Sequence, residues 1–166
     1  MLKRLIIFIN HANLFHNLEK RHIRINYAKF KDFLSNKFHL VGAFIYMGFP
    51  PELYPKKRGF IKYLDAQGFV IQSKEIKISP NGKKAQKGID IYIYRDIVEL
   101  AEEDSYDKAV LVSGDSDFVD IIRKLKELKK DYEIWSFRDS ISNHLISIAG
   151  EYKVNFIEEI LDQIKM

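Results

Sequence analysis

Cysteine is absent from the 166 residues, so the chain has no disulfide, no thiolate nucleophile and no cysteine-type zinc site. That absence fits an intracellular, cytoplasmic protein. No apolar run reaches the length of about 18 residues that a membrane-spanning helix needs, so no membrane partner is expected. The opening MLKRLIIFIN has two basic residues and a short apolar run but no small-residue cleavage site. It reads as a first strand and not as a signal peptide. No P-loop, GxGxxG or GxSxG pattern occurs, which leaves nucleotide-triphosphate, dinucleotide and serine-hydrolase chemistry without a motif. Internal repeats, low-complexity stretches and Pro/Gly/Ser-rich linkers are also missing, so residues 1–166 are expected to form a single domain.

What is present is an ordinary globular composition with a mild basic excess. Lys and Arg number 27 against 23 Asp and Glu, a net charge of +4 that is compatible with a nucleic-acid partner but does not identify one. Association with copies of itself is compatible with the composition and not fixed by it. Short apolar runs alternate with helical spacings along the chain. Strands are expected at Leu5–Ile9, Val41–Met47, Phe69–Ile71 (with strand character continuing to Ile78), Ala109–Val112, Glu133–Ser136 and Val154–Phe156. Helices are expected over Asn26–Lys37 with Asn26 as a cap, Glu52–Gln67 closed by Gly68, Gly88–Glu103, Phe118–Lys130, Ile141–Gly150 with Ser140 or Asp139 at its start, and Ile157–Ile164. Leu14–Glu19 reads as short helix or loop. The run IDIYIYRDIV also suits a strand, since it is rich in β-branched and aromatic residues. The alternation argues an α/β fold with a mostly parallel sheet covered by helices on both faces.

The informative stretch is Lys108–Phe118, KAVLVSGDSDF. A buried strand stops at Gly114, two carboxylates follow at Asp115 and Asp117, and the apolar positions Phe118, Ile121, Ile122 and Leu125 then repeat at helical spacing. In open α/β sheets the ligand crevice lies just past such strand ends. Asp115, Ser116 or Asp117 also suits a helix cap, which needs only one of them. If the first and fourth strands are neighbours, Asn10 and Asn13 reach the same crevice, and the helix that follows a lysine-rich turn lowers Asp90 into it. Three crowded carboxylates repel unless a cation neutralises them. A hard oxygen-liganded ion such as Mg²⁺ or Mn²⁺ suits that donor set. Asp96 lies six residues after Asp90 and is read as a structural partner of Arg95 or Lys108, or as support behind the site. His11 and His16 read as polar surface residues, with an extra-ligand or proton-shuttle role as the alternative.

Three motifs in this order carry a resemblance. FINHANLF (Phe8–Phe15), KGIDIYIYRDI (Lys87–Ile97) and LVSGDSDFVDII (Leu111–Ile122) resemble the NYN domain family, the LabA-like members of the PIN-like nuclease superfamily. The resemblance implies a Rossmann-like three-layer α/β/α domain that hydrolyses RNA phosphodiester bonds with Mg²⁺ or Mn²⁺. Carried onto this chain, Asp90, Asp115 and Asp117 are the catalytic and metal-binding acids, with Asn10 at the fourth ligand position and Asn13 and Ser113 in support. The family usually opens with Asp where this chain has Asn10. A neutral amide there weakens the charge of the site, or leaves a nucleic-acid-binding or regulatory module that has given up the chemistry.

Two basic clusters suit a single-stranded RNA: Lys56, Lys57 and Arg58 on a helix, and Lys83, Lys84 and Lys87 around the turn before Asp90. The interleaved aromatics Tyr54, Phe60, Tyr63, Tyr92 and Tyr94 are read mainly as core, with base stacking as the alternative. A phospho-acceptor receiver-like domain is disfavoured, because it wants an acidic pair after the first strand, where Asn10 and His11 stand.

Overall fold

Within the described residues each expected strand forms. The computed structural model describes residues 1–75 and 87–166, and of Glu75 and Lys87 the backbone only. Six strands make one sheet: β1 (Arg4–Asn10), β2 (His39–Phe49), β3 (Val70–Glu75), β4 (Lys108–Val112), β5 (Asp131–Ser136) and β6 (Val154–Phe156). Their order is β3-β2-β1-β4-β5-β6, and every neighbouring pair is parallel. The helices are α1 (His11–Lys20), α2 (Tyr27–Ser35), α3 (Tyr54–Ala66), α4 (Lys87–Glu102), α5 (Val119–Glu127), α6 (Asn143–Ala149) and α7 (Leu161–Ile164).

The two-residue period of a strand divides the core into two layers. Leu5, Ile7 and Ile9 of β1 join Val110 and Val112 of β4, packed with Phe30 of α2 and Leu64 of α3. Ile6 and Phe8 join Ala109 and Leu111 on the opposite face, packed with Ile93 and Ile97 of α4 and Ile122 and Leu125 of α5. Burial on both faces is why these strands read as unbroken apolar runs. Leu111 is fully buried in this second layer. Leu111→Ala is therefore expected to cost about 2–5 kcal/mol, measured as a shift in the urea unfolding midpoint.

Some ends of the elements match expectation and others differ. Leu14–Glu19 is helix, inside an α1 that begins at His11 directly from β1. Asn26 caps α2, its side chain accepting from the Lys29 N–H at 3.0 Å. Gly68 follows α3 with φ +90°, the left-handed turn that ends a helix. Residues 87–102 are helix and not strand, with Ile89, Ile93, Ile97 and Ala101 on the core side. The cap of α6 is Ser142 and not Ser140 or Asp139. Ser140 instead accepts a hydrogen bond from Asn17 at 2.9 Å, and Asp139 is paired with Lys20 and Arg21. β3 begins one residue late, at Val70, because Phe69 turns into the core. The expected strand beyond residue 75 and the turn at residues 79–82 lie outside the described residues.

Candidate active site

The chain grows to one side of β1 through β2 and β3, then returns to the other side with β4, β5 and β6. The carboxyl ends of β1 and β4 therefore flank a topological switch point, where a crevice opens. Ile9 pairs with Val112, which brings Asn10 beside Ser113. The Asn10 Nδ2 donates to Ser113 Oγ at 3.4 Å, both groups buried. Ser113 Oγ also accepts from the Asp115 N–H at 3.2 Å, and Asn13 Oδ1 accepts from the Gly114 N–H at 3.2 Å. The Gly114 carbonyl in turn accepts from the Ser142 N–H at 2.9 Å. The turn is thus held from α1, from β1 and from the loop before α6. Gly114 is dictated by contact: a Cβ there would lie 2.5 Å from Ser136 Oγ, 2.8 Å from Ile141 Cα and 2.9 Å from the Ser140 carbonyl.

Asp115 serves as a cap. Its Oδ1 accepts from the Asp117 N–H at 3.1 Å and opens the 3₁₀ turn Ser116–Phe118 that leads into α5. The cap uses one of the two carboxylate oxygens. Asp90 stands in the first turn of α4. One oxygen from each of Asp90, Asp115 and Asp117 lies within 4.8 Å of the others. The Asp90 carboxyl is pushed up to about 6, first by burial, then by the negative charges of Asp115 and Asp117 and a hydrogen bond with Asp117. That shift is the response of a half-buried acid with two further acids beside it. A divalent cation relieves it, and a donor set of carboxylate oxygens with no nitrogen or sulfur suits a hard ion.

The sign of the resulting pH effect is opposite to that of an ordinary salt-bridged acid. The fold disfavours ionised Asp90, so without metal the penalty is absent well below the ordinary value of 3.8 and complete above about 6. Asp90→Asn is expected to melt above the wild type at neutral pH in EDTA, with the gap closing as pH falls through that window. Mn²⁺ should raise the melting temperature of the wild type at neutral pH much more than that of the variant. A wild-type-minus-variant difference flat between pH 4 and 7 would remove the crowding account.

Asp96 stands apart from this cluster. Its Oδ2 accepts from Tyr46 Oη at 2.8 Å and its Oδ1 from Arg95 at 3.1 Å, which ties α4 to β2. Lys108 pairs with Glu133 instead, at 3.2 Å. His16 is exposed, as expected of a surface residue. His11 is not on the surface: it is buried among Phe15, Phe49 and Phe60, and its Nε2 has no hydrogen-bond partner among the described residues. Burial, and then Lys57, push its imidazole down to about 4, so it is neutral near pH 7 and does not shuttle protons there.

Of the basic residues, Lys56 and Arg58 are exposed on α3. The Lys57 Nζ sits 5.2 Å from the Phe15 ring centre and 5.4 Å from that of Phe49. Lys83 and Lys84 lie outside the described residues, and of Lys87 only the backbone is described, as the first residue of α4. Tyr54, Phe60 and Tyr63 pack on the core, as expected. Tyr92 and Tyr94 do not: they are 36% and 39% exposed on α4.

Residues 4–155, from the start of β1 into β6, match the NYN domain. The chain belongs to the NYN domain family. A curated relative is the low amplitude and bright protein LabA of Synechococcus elongatus, 28% identical over 156 residues, which covers 90% of this chain and 82% of LabA. A crystal structure of a protein of unknown function from Vibrio parahaemolyticus superposes with a TM-score of 0.80 at 23% identity, covering 99% of this chain and 97% of that one. It shares the fold. In this NYN domain the Gly114 turn also depends on Ser142, whose N–H bonds the Gly114 carbonyl, and on Asn17, which braces Asn13, while Ser136 and Ser140 crowd the place of a Gly114 side chain. Asn17 carried a signal, since it stands four residues after Asn13 on one helix face, and its Nδ2 donates to the Asn13 carbonyl at 2.8 Å.

Proposed function

We propose that this NYN domain is an endoribonuclease that cleaves single-stranded RNA with Mg²⁺ or Mn²⁺, acting as one domain over residues 1–166 in the cytoplasm. The observation that carries the reading is the meeting of Asp90 with Asp115 and Asp117, from two separate elements, at the switch point of the sheet. Asp90, Asp115 and Asp117 would hold the ion, with Asn10 as a neutral neighbour. When bound, such an ion lowers the pKa of a water and neutralises charge on a phosphate oxygen. In the overall reaction water adds across one P–O bond of the backbone, leaving a phosphate on one fragment and a hydroxyl on the other. Ser113 and Asn13 hold the turn that aims Asp115. Lys56, Lys57 and Arg58, with Lys83, Lys84 and Lys87, are assigned to backbone phosphates.

The test is cleavage of end-labelled single-stranded RNA across a Mn²⁺ titration, with EDTA as the zero. Slow cleavage at millimolar-scale ion is expected, of order the weaker oxygen-ligand sites. Asn10→Asp should raise the rate and lower the Mn²⁺ midpoint, because it adds an anion beside the cluster. Activity that survives EDTA would end the metal-dependent reading. A specific observation supports a second reading: Asn10 is neutral and its Nδ2 is committed to Ser113. RNA binding without cleavage in the wild type, and cleavage gained in Asn10→Asp, would favour a binding module on a nuclease fold.

A further inference from the structure

A groove of about 710 Å³ lies between α1 and α3, and its lining includes no member of the acidic cluster. Phe15 lines it from α1, and Lys57, Phe60 and Tyr63 line it from α3, with Arg24 on its border. α1 leaves β1 at Asn10, and α3 follows β2 after Phe49 and the short turn Pro51–Leu53. Both helices therefore start at the carboxyl edge of the sheet and run back along it. Phe15 lies five residues past Asn10, about 7 Å along a helix, so the Phe15 end of the groove is the end nearer the carboxyl edge of the sheet.

Two properties of the groove point to one kind of occupant. Its walls carry four rings, Phe15, Tyr27, Phe60 and Tyr63, beside the aliphatic Leu18, Ile23 and Ile25, and Phe15 stacks on the buried His11 ring at 5.4 Å and 21° and remains 39% exposed. Its charge is cationic: Lys57 lies over Phe15 and Arg24 lines the rim, against Glu19 as the one acidic side chain of the lining. Lys56 and Arg58 are exposed on the same helix as Lys57. An apolar protein helix would use the rings and leave the cations idle. An unpaired nucleic-acid strand uses both, because every base has a π-face and every linkage a negative charge.

We propose that this groove receives the RNA strand next to the cleavage site, its bases against Phe15, Phe60 and Tyr63 and its phosphates at Lys57 and Arg24. The proposal rests on the reading of the acidic cluster as an RNA site. Binding is measured by fluorescence anisotropy in EDTA, so that no cleavage occurs, on single-stranded RNA of about ten nucleotides, of order the site sizes of single-strand grooves. Phe15→Ala should weaken binding about tenfold, and Phe15→Tyr, which keeps the ring, should restore it. Lys57→Gln should flatten the dependence of log Kd on log salt by about 0.7. Affinity and salt slope unchanged in both Phe15→Ala and Lys57→Gln would overturn the groove, as would equal binding of a fully paired duplex. If wild type binds but does not cleave with Mn²⁺, while these variants lose affinity, the cluster reading fails and the groove stands. If wild type cleaves and the variants bind as it does, the groove fails and the cluster reading stands.

Discussion

Asp115→Asn is expected to lower Mn²⁺-dependent RNA cleavage by about a hundredfold or more, and to leave the protein as stable as before or more stable. Even residues that only hydrogen-bond a metal ligand cost 10- to 100-fold when lost, and here an anionic member of the proposed ligand set goes from a site that already has Asn10 in place of an acid. The stability half of the expectation comes from the double duty of this side chain. Its cap on the Asp117 N–H uses one oxygen, and an Asn oxygen accepts that bond equally well. At the same time a negative charge beside Asp90 disappears, so the Asp90 carboxyl falls back toward its ordinary value. Cleavage assays and thermal melts in EDTA on the same preparations check both halves. Retained activity with an intact melt would move the chemistry away from Asp115. Lost activity with a collapsed melt would make the residue structural.

Gly114→Ala is expected to be the most damaging of single-methyl changes, at about 3 kcal/mol or a fall of roughly 10 °C in Tm for a chain of this size. Ser136 Oγ, 2.5 Å from the added Cβ, can rotate away. The Ile141 Cα and Ser140 carbonyl, at 2.8 and 2.9 Å, are backbone and cannot. The loop before α6 must then retreat, which breaks the bond from the Ser142 N–H to the Gly114 carbonyl. Gly59→Ala is the control. It lies inside α3 with nothing within 4 Å of the added Cβ, so it should be neutral or stabilising by about 0.5–1 kcal/mol. Equal effects of the two substitutions on the urea midpoint would show that the Gly114 turn has slack.

The parts of the fold that the sequence revealed are those decided within a few residues. Leu5–Ile9 and Ala109–Val112 read as strands because two helical layers cover them, which makes every position apolar. Asn26 was visible as a cap because its partner is three residues away. The acids of the site were visible because Gly114, Asp115 and Asp117 are adjacent and their surroundings follow from one strand end. What escaped depends on residues far along the chain. His11 looked like a surface imidazole, and only Phe49 and Phe60, brought in by β2 and α3, bury it. Asp96 gained Tyr46, fifty residues earlier, in place of Lys108, which Glu133 takes. The two cap candidates for α6, Ser140 and Asp139, are engaged by Asn17, Lys20 and Arg21 from more than a hundred residues earlier, and Ser142 makes the cap.

The order of strands has a consequence for the birth of the protein. β1 is made first, yet one of its two long sides stays bare until β4 arrives, and the Asn10–Ser113 contact joins residues 103 positions apart. A growing chain can assemble β1, β2 and β3 with Asp90 already present while Asp115 and Asp117 are still unmade. Such a half-sheet carries an unpaired apolar edge at its centre, the kind of edge that invites association with other chains. It also holds one acid in place of three, and so lacks the cluster that would grip a cation. Insertion of β4 along β1 closes the edge and completes the cluster in one step. The acidic cluster would therefore be completed late and all at once, coupled to the slow long-range pairing that finishes the sheet.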